Sequence, residues 1–314
     1  MTDLRVAVVG AGGMGREHIR AFGALEGVSV VGLSSRTRSS AEALASELGV
    51  GLVAADIGEL QARSGADLVV VAVPEVEALA VALACFEHDW AVLMEKPAGC
   101  DLDEAEAIAR AAEGRQAPVM VGLNRRFYAS TLAAMRDLES RDGRRIVHVQ
   151  DQQSFAEARA HGHPERVVER FMYANSIHII DYLTGFCRGE VSRVEAILPW
   201  RGEATDFVMV RVEYDSGDFG LYEGAWKGPG PWACAVSTVS RRWVLQPLEQ
   251  ARYQDVGERR QHEVPADPVD LEYKPGFLRQ AEQVSRRVRG LESSAVGLEE
   301  SLRTMRLIRQ MFGV

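Results

Sequence analysis

The stretch Leu4-Arg-Val-Ala-Val-Val-Gly-Ala-Gly-Gly-Met-Gly-Arg-Glu-His18 decides the fold. An apolar run breaks into glycines at Gly10, Gly12 and Gly15 and then continues as a helix. Gly10 permits a tight turn off a strand, Gly12 lets backbone amides approach a pyrophosphate, and Gly15 lets the helix pack close to the sheet. Gly13 and Met14 open that helix, where unpaired N–H groups and the helix dipole favour negative charge. The glycine triplet alone is a weak signal. Its place directly after a strand, with a βαβ pattern following, favours a dinucleotide site over a glycine-rich loop without a ligand.

Outward from this stretch, as far as about residue 122, short β-branched runs alternate with Ala-rich amphipathic segments, the pattern of a parallel sheet with helices on both faces. Strands are expected at Leu4–Val9, Val28–Leu33, Leu68–Val73, Ala91–Met94 and Val119–Val121, and helices near Gly13–Leu25, Ser39–Leu48, Val76–Glu87 and Leu102–Glu113. Residues 1–122 therefore read as an α/β Rossmann domain, a doubly wound parallel sheet. From about Arg144 the strand-like segments are Val147–Gln153, Ser192–Leu198, Phe207–Tyr214, Phe219–Trp226, Ala233–Ser240 and Trp243–Pro247. Turn signals such as Asp215-Ser-Gly-Asp and Lys227-Gly-Pro-Gly-Pro separate them, so a large, mostly antiparallel open sheet is expected. Two helices close the chain, and Leu298, Leu302, Met305, Ile308 and Phe312 form a stripe on the last that reads as core. Residues 123–314 are thus expected to be an α+β substrate domain, whose sheet could also supply the face of a homodimer or homotetramer.

The chain has 314 residues, 46% of them hydrophobic and 26% charged, enough for two domains with sizeable cores. A net charge of −9 argues against nucleic-acid or anionic-membrane partners, which need a basic field, and leaves small molecules as the expected ligands. Cys85, Cys100, Cys187 and Cys234 are scattered, with no C-x-x-C pair, so neither a zinc knuckle nor a disulfide framework is indicated. The N-terminus lacks the pattern of a secretory signal, and the apolar run at Leu68–Val73 is too short to span a bilayer. A soluble, cytoplasmic protein is the expectation.

Two segments could carry chemistry. In Met94-Glu95-Lys96-Pro97, Lys96 follows a parallel strand at its carboxyl end, where doubly wound folds put their ligands. Its ammonium can hydrogen-bond a hydroxyl or carbonyl and carry a proton, or it can be a solvated lysine beside a turn proline. In Phe171-Met-Tyr-Ala-Asn-Ser-Ile-His-Ile-Ile-Asp-Tyr-Leu-Thr-Gly185, helical spacing puts Asn175, His178 and Asp181 on one face. That gives an imidazole, the side chain suited to proton exchange near neutral pH, with two candidate orienting partners. The alternative is a satisfied structural histidine paired with Asp181. Asn124, Arg125 and Tyr128 follow the last Rossmann strand and are candidates to touch cofactor or substrate, whereas Arg126-Phe127 could be an ion pair and packing. The segment around His161 and His163 could cover a cleft, but no third ligand completes a metal site there. Trp226 and Trp232 could stack on a sugar, with packing the commoner role.

Taken together, these motifs resemble the glucose–fructose oxidoreductase, inositol dehydrogenase and MocA (Gfo/Idh/MocA) superfamily. The likeness rests on G-x-G-x-x-G-x-x-H at Gly10–His18, Val73-Pro74, Glu95-Lys96-Pro97, Arg126-Phe127 and His178-x-x-Asp181, and it runs along essentially the whole chain. It implies hydride transfer between a nicotinamide and a hydroxyl or ketone carbon of a sugar, sugar derivative or cyclitol, with Lys96 and His178 catalytic. Val73, Pro74, Glu95, Lys96 and Asn124 are expected beside the cofactor, and Asn175, Asp181, Tyr128 and Arg125 beside the substrate. One departure stands out: relatives commonly carry an aspartate four residues before the histidine, and here Ala174 fills that place with Asn175 beside it. Where an NAD site usually ends its second strand with a carboxylate, the chain reads Ser34-Ser35-Arg36-Thr37-Arg38. With no carboxylate to repel a 2′-phosphate and with Ser35, Arg36 and Arg38 available to bind one, NADP(H) is favoured and NAD(H) is the alternative. Two other functions remain open: a non-redox enzyme that retains its nicotinamide to drive elimination, epimerisation or glycoside cleavage, and a catalytically silent NADP-binding regulator.

Overall fold

The computed structural model describes residues 3–314. Strand β1 (Leu4–Val9) is buried at every position but Arg5, as a continuous apolar run must be when helices cover both faces of its sheet. After it come α1 (Gly13–Gly23), β2 (Val28–Ser34), α2 (Arg38–Leu48), β3 (Val53–Ala54), α3 (Ile57–Ser64) and β4 (Leu68–Val71). The series continues with α4 (Ala78–Phe86), β5 (Ala91–Glu95), α5 (Leu102–Ala112) and β6 (Val119–Gly122). All six strands are parallel, in the order β3-β2-β1-β4-β5-β6, so the direction of winding reverses between β1 and β4. This is the doubly wound sheet expected from the sequence, with β3 and α3 as additions. Strand β3 is two residues long, too short for a β-branched run to announce, and α3 is fixed by its cap, the Asp56 carboxylate accepting from the Glu59 N–H at 2.8 Å.

The remaining elements are α6 (Ala129–Glu139), β7 (Ile146–Gln152), α7 (Phe155–Ala160), α8 (Glu165–Glu169) and a π-helical turn at Met172–Ser176 that runs into α9 (Ile177–Phe186). Strands β8 (Val191–Leu198), β9 (Phe207–Tyr214), β10 (Phe219–Ala225), β11 (Ala233–Ser237), β12 (Arg241–Leu245), β13 (Ala251–Asp255) and β14 (His262–Glu263) follow. Helices α10 (Pro268–Glu272), α11 (Phe277–Val288) and α12 (Leu298–Phe312) end the chain. The second sheet has eight strands in the order β14-β13-β12-β11-β7-β10-β9-β8, and only the β7–β10 pair is parallel. Strands β7 and β9 alternate strictly between buried and more exposed residues. Val147, Val149 and Asp151 of β7, with Gly220, Tyr222 and Gly224 of β10, are buried on one face, against which α9 packs. On α12, Leu302, Met305, Ile308 and Phe312 are buried, as their stripe implies.

The described residues group into two compact units, residues 3–124 with 272–302, and residues 125–271 with 303–314. The single division expected at residue 122 is therefore joined by a return of the chain. The physical reason lies in α11, whose Phe277, Ala281 and Val284 enter the same core as Leu4, Val6, Ile19 and Phe22.

In the second unit, the buried carboxylate of Asp218 accepts from the backbone N–H groups of Arg145 (2.8 Å) and Arg188 (2.9 Å) and from the Arg188 guanidinium (2.7 and 2.8 Å). Burial pushes this carboxyl up, but those donors together outweigh it and hold it below the usual carboxylate range. A depressed folded value means that its stabilisation is complete above the unfolded carboxylate range, near pH 4, and is lost as pH falls through the folded value. Asp218→Asn turns an amide N–H towards those donors and should cost about 1–3 kcal/mol at pH 7. Urea melts should show the gap between wild type and variant closing below about pH 4.

Candidate active site

The glycine turn occupies the switch point of the six-stranded sheet. Gly10 has φ +115°, and a Cβ there would overlap the carbonyl oxygen of Ala72, just past β4. A Cβ at Gly15 would overlap the carbonyl oxygen of Gly10, whereas one at Gly12 would meet nothing within 4 Å. The three roles read from the sequence are thus separated in space: Gly10 makes the turn, Gly15 the close packing of α1, and Gly12 the open cradle. Helix α1 begins without a side-chain cap or an acidic residue in its first turn, so its leading N–H groups are left for an anion. Beside this turn lies a groove of about 630 Å³ lined by Gly10, Gly12, Ser35, Arg36, Val73 and Pro74, among others. An open cradle at a helix N-terminus leading into a groove fits a dinucleotide, with Gly10–Gly12 holding the pyrophosphate and the Ser34–Thr37 segment beside the groove for the ribose. Gly13 also faces open space, while Met14 packs against the core.

Of the two arginines expected at a 2′-phosphate, only Arg36 lines the groove. It is 80% exposed, and its Nη1 donates to Glu77 Oε1 at 2.8 Å from across the same groove lining. Arg38 instead pairs with Glu42 one turn along α2. Lys96 stands at the carboxyl end of β5 and is half-buried. Glu95, expected at the cofactor, lies with its Oε1 2.7 Å from His18 Nε2, a nearly water-free contact that ties α1 to β5 immediately before Lys96. His18 belonged to the motif without a role of its own, and its ring also meets Phe277 at 4.9 Å. Asn124, likewise expected at the cofactor, is buried with its Nδ2 donating to the Pro275 carbonyl at 3.0 Å.

In the second unit, Asn175 stands in the π-helical turn and His178 in α9, which follows it directly. Along residues 171–183 these two side chains alone keep partial access to solvent. The π-helical turn determines which residue that is, because it buries Ala174 and leaves Asn175 facing out. Asp181, expected on the same face as an orienter of His178 and a substrate contact, is turned inward. Its Oδ2 accepts from Arg126 Nε at 2.6 Å and its Oδ1 from Arg126 Nη2 and Thr304 Oγ1, both at 2.8 Å. Both oxygens are committed to a buried bidentate ion pair, so Asp181 and Arg126 hold α9 in place. The ideal-helix spacing overlooked the polarity of that inner face.

Asn175 Nδ2 donates to Gln153 Oε1 at 3.0 Å, Gln153 Nε2 donates to Asp151 Oδ1 at 2.7 Å, and the Tyr222 hydroxyl donates to Asp151 Oδ2 at 2.8 Å. Sequence reasoning missed Asp151, Gln153 and Tyr222. The one available signal was an acid at a core-facing position of β7, in register with Val147 and Val149. Burial pushes the Asp151 carboxyl up, against the opposing pull of Ser176, Tyr222, Gln153 and the charge of Arg125. The Arg125 guanidinium lies 4.2 Å over the Trp232 ring and keeps its Nη1 buried without a hydrogen bond. Tyr128 is buried. Trp226 is 1% exposed and packs on Trp200 at 4.5 Å and Phe155 at 5.0 Å, which makes it core rather than a stacking platform. His161 bonds the Glu157 carbonyl at 2.8 Å, and His163 meets the Phe171 ring edge-on. Among the described residues, no helix is long and apolar enough to cross a membrane.

Known proteins agree with this architecture. The chain is similar over 278 residues to 4-carboxy-2-hydroxymuconate-6-semialdehyde dehydrogenase of a Sphingobium species, with 23% identity and 85% of each chain covered. It is 37% identical to inositol 2-dehydrogenase 1 of Saccharopolyspora erythraea over 141 residues, 44% of this chain and 42% of that one. The crystal structure of a dehydrogenase from Chromobacterium violaceum superposes with a TM-score of 0.86 at 19% identity, over 99% of this chain and 94% of the other. Residues 4–123 match the family model described as an oxidoreductase family with an NAD-binding Rossmann fold, GFO_IDH_MocA. With the glycine cradle and the sheet order in agreement, residues 4–123 carry the NAD-binding Rossmann fold of the Gfo/Idh/MocA oxidoreductase family.

Proposed function

We propose that this protein is a nicotinamide-dependent dehydrogenase or reductase acting on a hydroxyl or ketone carbon of a sugar, sugar derivative or cyclitol. The observation that carries the proposal is the glycine cradle and its groove in the sheet that also ends β5 at Lys96. The inositol 2-dehydrogenase likeness supports a polyol substrate. When bound, the nicotinamide supplies or accepts the hydride. Lys96 hydrogen-bonds the reacting oxygen and stabilises the charge it develops, and His178 exchanges the proton with it. Asn175 holds a neighbouring hydroxyl but moves no proton, because an amide is no base at physiological pH. The open face of the eight-stranded sheet, with Ile146 and Phe207 exposed, suits self-association as a homodimer or homotetramer.

NADP(H) is the favoured cofactor. Arg36 is the cation at the groove, and its link to Glu77 is an exposed ion pair that a 2′-phosphate can replace at little cost.

Three measurements check these roles. Nicotinamide absorbance should be followed over a panel of sugars, amino sugars, keto sugars and cyclitols. Lys96→Ala should cut turnover by about 100-fold or more while leaving cofactor affinity nearly intact, and equal turnover would remove Lys96 from the chemistry. Gly10→Ala should abolish cofactor binding in a fluorescence titration, because the added Cβ overlaps the Ala72 carbonyl. Arg36→Ala should lower the NADP-over-NAD preference by about 10-fold, and an unchanged ratio would rule out Arg36 as the phosphate ligand.

A further inference from the structure

We infer that Asp151 and Gln153 are positioning residues that fix which end of the Asn175 amide meets the substrate, so that the enzyme recognises a hydroxyl hydrogen there. The inference rests on the polyol reading above and adds the polarity of one of its contacts.

The two ends of an asparagine amide are nearly the same size and opposite in character, so its neighbours decide which end faces outward. Here the decision starts two residues away, at Asp151. Both Asp151 oxygens act as acceptors here, the state that the Tyr222 and Gln153 donors favour against burial. The Tyr222 hydroxyl donates to one oxygen, so the other oxygen, 2.7 Å from Gln153, draws the NH2 end of that side chain. The Gln153 Oε1 is then left facing Asn175 and accepts from its Nδ2 at 3.0 Å. The Asn175 Oδ1 is the end that the relay leaves over.

Reversing any member sets two acceptors against each other. Asp151 and Gln153 are buried at 1% and 3% exposure, where such a clash is not screened by water. Asn175 itself, like His178, keeps partial access to solvent. A buried carboxylate thus reaches the substrate surface through two amides and presents a neutral acceptor there. A substrate hydroxyl can satisfy that acceptor, whereas an ether or carbonyl oxygen at the same point cannot.

The polarity is tested by moving the carboxylate along the relay. In Asn175→Asp, an oxygen faces Gln153 Oε1, and kcat/KM on the polyol found by the panel should fall about 100-fold. Asp151→Asn, whose amide can both donate and accept, should cost about 10-fold. In the double variant the new amide at 151 donates to Gln153, which turns its NH2 to the new carboxylate at 175. The double variant should then recover to within a few-fold of wild type, with a melting temperature above that of Asn175→Asp.

Additive losses in both readouts would mean a merely structural role and overturn the relay. If wild type turns over no polyol, the polyol reading fails. The melting-temperature cycle then still decides the relay, recovery supporting it and additivity overturning it. The donor preference is read with deoxyfluoro analogues of the active polyol, since fluorine accepts but cannot donate. At the contacted carbon the fluoro compound should be turned over about 10-fold or more slowly than the parent. Undiminished turnover of every fluoro analogue would overturn donor recognition.

Discussion

The first unit depends on one close approach, that of the Gly10 turn to the carbonyl oxygen of Ala72. This contact fixes where β1 ends, directs α1 away from the neighbouring strand, and brings Gly15 against the Gly10 carbonyl. Any side chain at Gly10 or Gly15 would hold backbone from backbone and close the cradle that Gly12 leaves open. The His18–Glu95 contact then carries the geometry of α1 across to β5, so the lysine at the end of that strand is set by the same turn. A single steric constraint therefore links the uncapped N-terminus of α1 to the end of β5 that precedes Lys96.

This is also why the first unit was legible in the sequence. Glycines required by overlap, and apolar runs required by burial on both faces, leave local marks that need no knowledge of the rest of the chain. Four of its strands begin and end within a residue of the expected positions, and the fifth, β4, stops two residues early, before Pro74. Elements held by other means left no such mark. Helix α3 rests on one capping aspartate, and α11 joins this core from the far end of the sequence.

The second unit was legible in outline but not in its polar detail. Asn175 and His178 keep partial access to solvent on either side of the junction between the π-helical turn and α9. Asp181 has the same periodicity, yet its carboxylate meets Arg126, a partner 55 residues away that no helical repeat can reveal. The polar groups expected at the cofactor followed a similar course. Asn124 bonds the Pro275 backbone and Glu95 bonds His18, partners that the sequence pattern did not indicate. Motif neighbours share a segment of chain, but a site is made by what each side chain faces.

Two of the buried aspartates of the second unit, Asp218 and Asp151, differ in the partners they are given. Asp218 is met by a guanidinium and two backbone N–H groups, and its carboxyl lies below the usual range; such a carboxylate has been given every partner that stabilises its charge. Asp151 is as deeply buried but is bonded by a phenol and a carboxamide, and its carboxyl is pushed up. If Asp151 served only to hold the sheet together, an apolar residue like its neighbours Val147 and Val149 would do so without the cost of burying a charge. A strand that breaks its own core pattern at one position, next to a helix that departs from α geometry at another, conflicts with local preference twice within a few ångströms. Both departures act on Asn175: one turns it outward, and the other determines which atom it offers.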